Sequence, residues 1–294
     1  MEIGFIGAGK VGKALGLYFT AHGLNVSGYC SRTEKSAIEA AVLTSSRAFR
    51  TLRELADSSD IIFITVPDQA LKEVDEEVSA MLDKNVIDCD VTWFHVSGAH
   101  SSDILERIRK AGCETGSMHP LQSFGDPYGS AEMLKRSWFT LEGTDKAVMA
   151  AKSLLDKTYG KHFLIKAEDK PLYHAGASVV SNFMVTLLES GISLFEAAGM
   201  DRNDIFHAIE PLIGSTLSNI REKGTIDALT GPIIRGDYDT VSVHMKSIGE
   251  KMPSELESYR AMAYRTVKML DGKRLTHGQV EEFERILEVR IDGR

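Results

Sequence analysis

The sequence predicts an α/β protein: an N-terminal, doubly wound parallel sheet followed by an all-helical C-terminal domain. Three observations predict it. Residues 1–167 alternate short apolar runs with helical periods, the pattern of a parallel sheet covered on both faces. From Leu172 onward only helical periods are found. Between them stands Lys170-Pro171, where proline fits the first turn of a helix and resists anything earlier. The domains are accordingly drawn at 1–167 and 168–294.

The first strand, Ile3-Gly4-Phe5-Ile6, runs into Gly7-Ala8-Gly9-Lys10-Val11-Gly12, and helical spacing continues through Lys13–Phe19. In a G-x-G-x-x-G turn, the first glycine permits the bend and the second lets backbone N–H groups approach a pyrophosphate. The third lets the helix pack on the strand. The phosphates then sit at the positive end of the helix. A bare glycine turn is the plainer reading, but this one follows a strand and opens a helix, as a dinucleotide site requires.

The second strand, Asn25–Tyr29, ends in Cys30-Ser31-Arg32-Thr33. An NAD site wants an acid about twenty residues past the glycines to hold the ribose 2′-OH. The first acid here is Glu34. Ser31 and Thr33 can donate to a 2′-phosphate and Arg32 can pair with its charge, so NADP is expected. The competing reading has Ser31 capping the helix near Glu34, with Arg32 solvated.

A helix near Glu34–Ala41, an apolar stretch at Ala41–Phe49 and a helical turn at Leu52–Ala56 come next. Asp60–Val66 is apolar almost throughout, as suits a strand buried on both faces. It ends at Val66-Pro67-Asp68, where Asp68 is placed to cap the following helix. Thr92–Val96 ends in Ser97-Gly98-Ala99, and Cys113–Met118 ends in His119-Pro120. Trp138–Leu141 and Lys161–Ile165 flank a helix near Ala147–Tyr159. Ligands of such sheets bind outside the carboxyl ends of the strands. Val66, Pro67, Asp68, Ser97 and Gly98 therefore join Gly7, Ala8, Gly9, Lys10, Val11, Gly12, Ser31, Arg32 and Thr33 as the expected cofactor-binding set.

In the helical domain the periods cover about 172–199, 201–213, 215–223, 237–248 and 254–271. Gly199 and Gly214 read as stops, and Asp201 and Ser215 as starts. The cleft between the domains is the expected active site. The first of these helices is apolar nearly all round, which predicts burial, so its polar residues call for an explanation. His174, Ser178, Ser181 and Asn182 share one face, within an arc of roughly 100°, and are expected to face a ligand. The alternative is that the hydroxyls bond back to their own helix and His174 is a satisfied core residue. Met184, Leu187, Leu188, Ile192 and Phe195 form an apolar stripe that predicts a homodimer through this domain.

With 43% hydrophobic and 26% charged residues, the 294-residue chain is of ordinary globular composition. A net charge of −8 disfavours nucleic acid or an anionic membrane as partner. No basic leader precedes the first strand and no apolar run approaches a membrane span, so a cytoplasmic location is expected. Cys30, Cys89 and Cys113 lack metal-ligand spacing and are expected as reduced thiols, with no metal bound.

The order of G-x-G-x-x-G, Ser31-Arg32-Thr33, Val66-Pro67-Asp68, His95-Val96-Ser97-Gly98-Ala99 and His119-Pro120-Leu121-Gln122 resembles Rossmann-like proteins carrying domain of unknown function 2520. The likeness continues through Tyr173-His174-Ala175-Gly176-Ala177, Ser181-Asn182, Leu229-Thr230-Gly231-Pro232 and Arg235-Gly236-Asp237. More distantly the chain resembles pyrroline-5-carboxylate reductase, prephenate dehydrogenase and the 6-phosphogluconate/β-hydroxyacid dehydrogenase superfamily. In these a helical domain that often dimerises follows the Rossmann domain. The resemblance implies an NADP-linked oxidoreductase of a small carbonyl, imine or hydroxy-acid compound.

The chain departs from its distant relatives at two places. β-Hydroxyacid dehydrogenases place a lysine four residues before an asparagine, whereas Ser178 precedes Asn182 here; Lys170, one turn before His174, is a weak substitute. The Ser/Thr-Pro-Gly-Gly-Thr-Thr loop of pyrroline-5-carboxylate reductase is replaced by Thr230-Gly231-Pro232 with Arg235. Histidine titrates near neutrality, which makes His174 the first choice of general acid and His119 the second. Ser178 and Asn182 would orient the substrate, and Arg235 would meet an anionic one. A non-catalytic NADP sensor or interaction protein, and a deazaflavin-linked NADP reductase, are the alternatives.

Overall fold

A computed structural model describes residues 1–288, and contact density divides the chain into two units at Asn182/Phe183 rather than at 167/168. The first unit is built on an eight-stranded sheet in the order β3-β2-β1-β4-β5-β6-β7-β8. Its strands are β1 (Glu2–Ile6), β2 (Asn25–Cys30), β3 (Arg47–Phe49), β4 (Ile61–Ile64), β5 (Thr92–His95), β6 (Thr115–Pro120), β7 (Trp138–Gly143) and β8 (Lys161–Leu164). All neighbours pair parallel except β6 and β7, which are antiparallel, so the sheet is mostly parallel and fits the expected doubly wound class.

Helices cover both faces. Phe5, Phe63, Phe94, Met118 and Leu141 pack with α1 (Lys10–Ala21), α6 (Pro127–Leu134) and α7 (Asp145–Thr158). Ile62, Ile64 and Trp93 pack with α3 (Leu52–Ala56), α4 (Leu71–Asp83) and α5 (Glu106–Lys110). The chain winds one way from β1 through β2 to β3, then returns to β4 on the other side of β1. A ligand crevice opens at such a reversal.

Cys89 and Cys113 are joined in a disulfide, with Cα atoms 4.8 Å apart, which corrects the expectation of three reduced thiols. Spacing along the chain hid the pair. The segments holding it are neighbours because β5 and β6 pair with Trp93 opposite Thr115.

The expected helix at 172–199 is two helices, α8 (Lys170–Val180) and α9 (Asn182–Ala197), broken at Ser181. Neither is buried as expected: α9 buries no residue and α8 only Lys170. By length and composition the run Ala167–Ala197 could cross a membrane, its most apolar 18-residue window having a mean hydropathy of 1.4, contrary to expectation. A bilayer span needs about 20 continuous apolar residues, however, and α8 and α9 have 11 and 16.

In the second unit, α10 (Arg202–Asp227) runs through Gly214 without stopping. A helical glycine costs only about 1 kcal/mol relative to alanine. Ser215, expected as a cap, instead donates back to the Leu212 carbonyl. The core of this unit joins α11 (Tyr238–Lys251), α12 (Leu256–Leu270) and α13 (His277–Ile286) through Val241, Val267, Leu270, Val280 and Phe283. The sequence periods missed α13.

Candidate active site

The glycine turn has the form its residues dictate. Gly7 adopts φ +98°, in the left-handed region that favours glycine. A Cβ on Gly12 would lie 2.6 Å from Thr65 Oγ1 and 2.7 Å from the Gly7 carbonyl, so α1 could not sit as close to β1 and β4. Gly9 faces open space, with nothing within 4 Å of where a Cβ would be. The N-terminus of α1 carries no side-chain cap and no acid in its first turn. Its free N–H groups and the open approach at Gly9 fit a pyrophosphate.

At the end of β2 the roles divide differently from expectation. Thr33, not Ser31, caps α2 (Glu34–Leu43), accepting from the Ser36 N–H. Arg32 is exposed and Ser31 half-buried, so these two keep their side chains for a ligand. Asp68 does not cap a helix either. It accepts a hydrogen bond from Ser97 Oγ at 2.9 Å, tying the end of β4 to the end of β5.

Sheet register then places a polar patch on β5, β6 and β7. His95 lies opposite Ser117, which lies opposite Glu142; one repeat further on, His119 lies opposite Thr140. Residues two apart on a strand share a face, so Ser117 and His119 point the same way. Facing them, α8 presents Lys170, Tyr173 and His174 at i, i+3 and i+4, which are neighbours on one helical face. Lys170 Nζ donates to the Ser97 carbonyl at 2.8 Å and to Ser117 Oγ at 2.6 Å. The Tyr173 hydroxyl and His119 Nδ1 are hydrogen-bonded at 2.7 Å. A Cβ on Gly98 would lie 2.7 Å from His174 Nδ1 and 2.8 Å from His119 Nε2, so both imidazoles border the same glycine.

Burial sets the charge of these groups. It pushes His119 down to about 3, with the Lys170 charge and then His174 adding to the effect, so His119 is neutral at physiological pH. His95, wholly buried, is likewise pushed down to about 3, mainly by burial. Burial lowers Lys170 to about 8, against the opposing pull of Glu142 and Asp68. Glu142 is raised by burial although it accepts from both the N–H and the hydroxyl of Ser102, each at 2.8 Å.

Of the residues expected to carry chemistry, His174 and His119 come together at Gly98. Ser178 and Asn182 do not join them: the helix breaks at Ser181 between the two, and among the described residues no hydrogen bond links either to the cluster. Arg235 lies in the second unit, largely exposed and 4.0 Å from Asp237. The sequence reading passed over Tyr173 and Ser117 and discounted Lys170. The i, i+3, i+4 spacing of Lys170, Tyr173 and His174 was the signal that could have found two of them.

Residues 137–266 match the family described as a domain of unknown function (DUF2520). Residues 2–92 match the family described as NADP oxidoreductase, coenzyme F420-dependent. Beyond these matched segments, nearly the whole chain resembles solved structures. A protein from Thermotoga maritima is similar with a TM-score of 0.72 and 24% identity, over 93% of this chain and 100% of that one. A candidate NADP oxidoreductase from Bacteroides fragilis gives 0.70 and 19%, over 90% and 97%. A reductive aminase from Aspergillus terreus, solved with NADPH and ethyl-5-oxohexanoate, gives 0.64 and 11%, over 96% and 99%. At these identities the likeness establishes the shared fold. None of the curated proteins matches the sequence.

Proposed function

We propose that the protein is an NADP-dependent oxidoreductase that moves a hydride between the nicotinamide and a small carbonyl, imine or hydroxy-acid compound. One observation carries this reading. The G-x-G-x-x-G turn, shaped for a pyrophosphate, lies at the same carboxyl end of the sheet as a largely buried cluster of proton-handling groups around Gly98. The NADP oxidoreductase match over residues 2–92 supports it, as does the resemblance to reductases solved with NADPH.

In the reducing direction, hydride passes from the nicotinamide to the substrate carbon and a proton is added to the neighbouring oxygen or nitrogen. The hydrogen-bonded His119–Tyr173 pair is the better-connected source of that proton, and His174, beside it at Gly98, is the second. The nicotinamide is assigned to the strand ends at Val66-Pro67 and Ser97-Gly98. Ser31 and Arg32 are assigned to the 2′-phosphate. A deazaflavin-linked reaction is the second reading, favoured by the coenzyme named in the matching family.

Titration of the purified protein with NADPH and NADH tests the cofactor. NADPH should bind at least about tenfold tighter, a difference of about 1.4 kcal/mol. Turnover is then followed at 340 nm over carbonyl and imine substrates, and separately with reduced deazaflavin and NADP. Absence of binding to either nucleotide at millimolar concentration would overturn the reading.

A further inference from the structure

We propose that Lys170 is a positioning residue for the hydride-transfer site, clamping the ends of β5 and β6 so that Gly98 and His119 are held in fixed relation. This rests on the oxidoreductase reading above. The clamp is visible in the bonding of Ser97. Its N–H donates to His95 Nδ1 at 3.1 Å and its hydroxyl donates to Asp68 at 2.9 Å. The same hydroxyl accepts the N–H groups of Ala99 and His100, each at 3.2 Å. Lys170 takes the remaining group, the carbonyl, so every polar part of Ser97 is engaged and the turn into Gly98 cannot rotate without breaking several bonds. The second bond of Lys170 holds Ser117, two residues before His119 on the same face of β6.

A purely structural filler at this place would be apolar. Removing an ammonium from water costs several kcal/mol, and Lys170 is 0% exposed with no carboxylate in contact among the described residues. The charged and titratable groups around it come from every adjoining element. These are Asp68 after β4, His95 on β5, His119 on β6, Glu142 on β7, and Tyr173 and His174 on α8. Burial holds the two imidazoles neutral and the positive charge at their centre adds to the effect, so His119 offers a neutral N–H or a lone pair rather than an imidazolium. The clamp therefore sets the place of the group beside Gly98 and adds its charge to the burial that keeps it neutral.

The test uses the full-length protein labelled with ¹³Cε1-histidine, without nucleotide, from pH 6 to 10. The His119 signal is identified by its loss in His119→Gln. His119 does not itself titrate in this range, so a step in its shift centred near 8 reports the loss of the Lys170 proton. Lys170→Met should abolish the step. Lys170→Arg, which stays charged, should abolish it too but leave the signal at the low-pH position of the parent protein. If Lys170→Met does not fold, the arginine variant carries the comparison alone. A folded parent protein with no step near 8, or a step that survives in either variant, would overturn the proposal. NADPH titration of the same samples separates the two claims. Affinity within about threefold of the parent is expected for the variants, because the clamp lies off the phosphate turn. A parent protein that binds no NADPH yet shows the step would instead count against the oxidoreductase reading.

Discussion

Gly98→Ala puts the geometry of the cluster under direct strain. The added methyl would stand 2.7 Å from His174 Nδ1, 2.8 Å from His119 Nε2 and 3.0 Å from His119 Cε1. Each ring must retreat by about 0.6–0.7 Å to reach the 3.4 Å at which ordinary contact begins. The two rings differ in their freedom to do so. His174 is exposed and, among the described residues, has no hydrogen bond, so it can leave its rotamer at a cost of about 0.5–1.5 kcal/mol. His119 is held by the 2.7 Å bond to Tyr173 and by edge packing on that ring, with centroids 5.5 Å apart. Its retreat weakens a bond worth about 0.5–1.5 kcal/mol. Together these give a destabilisation of about 1–3 kcal/mol, the usual range for overpacking. Urea unfolding of the parent, Gly98→Ala, His119→Ala, His174→Ala and the two double variants measures it. The cost of the methyl should shrink more in the His119→Ala background than in the His174→Ala background, because the tethered ring resists more. A Gly98→Ala protein within about 0.5 kcal/mol of the parent would refute the reasoning. So would a cost that is identical in all three backgrounds.

The remaining expectations concern the nucleotide, pH and assembly. Arg32→Asp should erase the preference for NADPH over NADH by placing a negative charge against the 2′-phosphate, and an unchanged affinity ratio would show that Arg32 is merely solvated. Lys170 gives up its proton near 8 when folded, below its ordinary 10.5. Between those values the unfolded chain binds more protons, so the cost of burying the ammonium fades as pH rises. Relative to Lys170→Met, the parent should gain about 2 kcal/mol of stability from pH 8 to 10. A difference that stays flat would mean that the amine titrates normally. Phe183, Val185, Leu187 and Leu212 are each more than half exposed, apolar surface that a second copy of the chain should cover. Light scattering at micromolar concentration should then give twice the 32.3 kDa of one chain, and a monomer would end that idea.

Much of the first unit was legible because the relevant physics is local. A strand that runs into G-x-G-x-x-G declares its turn within ten residues, and apolar runs such as Ile61–Ile64 declare strands covered on both faces. The change to helical periods after Leu172 likewise needs no knowledge of neighbours. Tertiary structure alone decided the antiparallel β7, the Cys89–Cys113 pair, the break at Ser181 and the exposure of α9. Each depends on which surfaces meet, which periodicity does not record. The candidate site divides along the same line. His119 and His174 could be suspected from their places at a strand end and on a helix, but Lys170 read only as a boundary residue and a weak substitute for the dehydrogenase lysine. It becomes the centre of the cluster because strand register sets Ser97 and Ser117 side by side and α8 lays its first turn across both. A hydrogen bond between residues 73 positions apart is a property of the folded sheet, and no local pattern around Lys170 or Ser97 contains it.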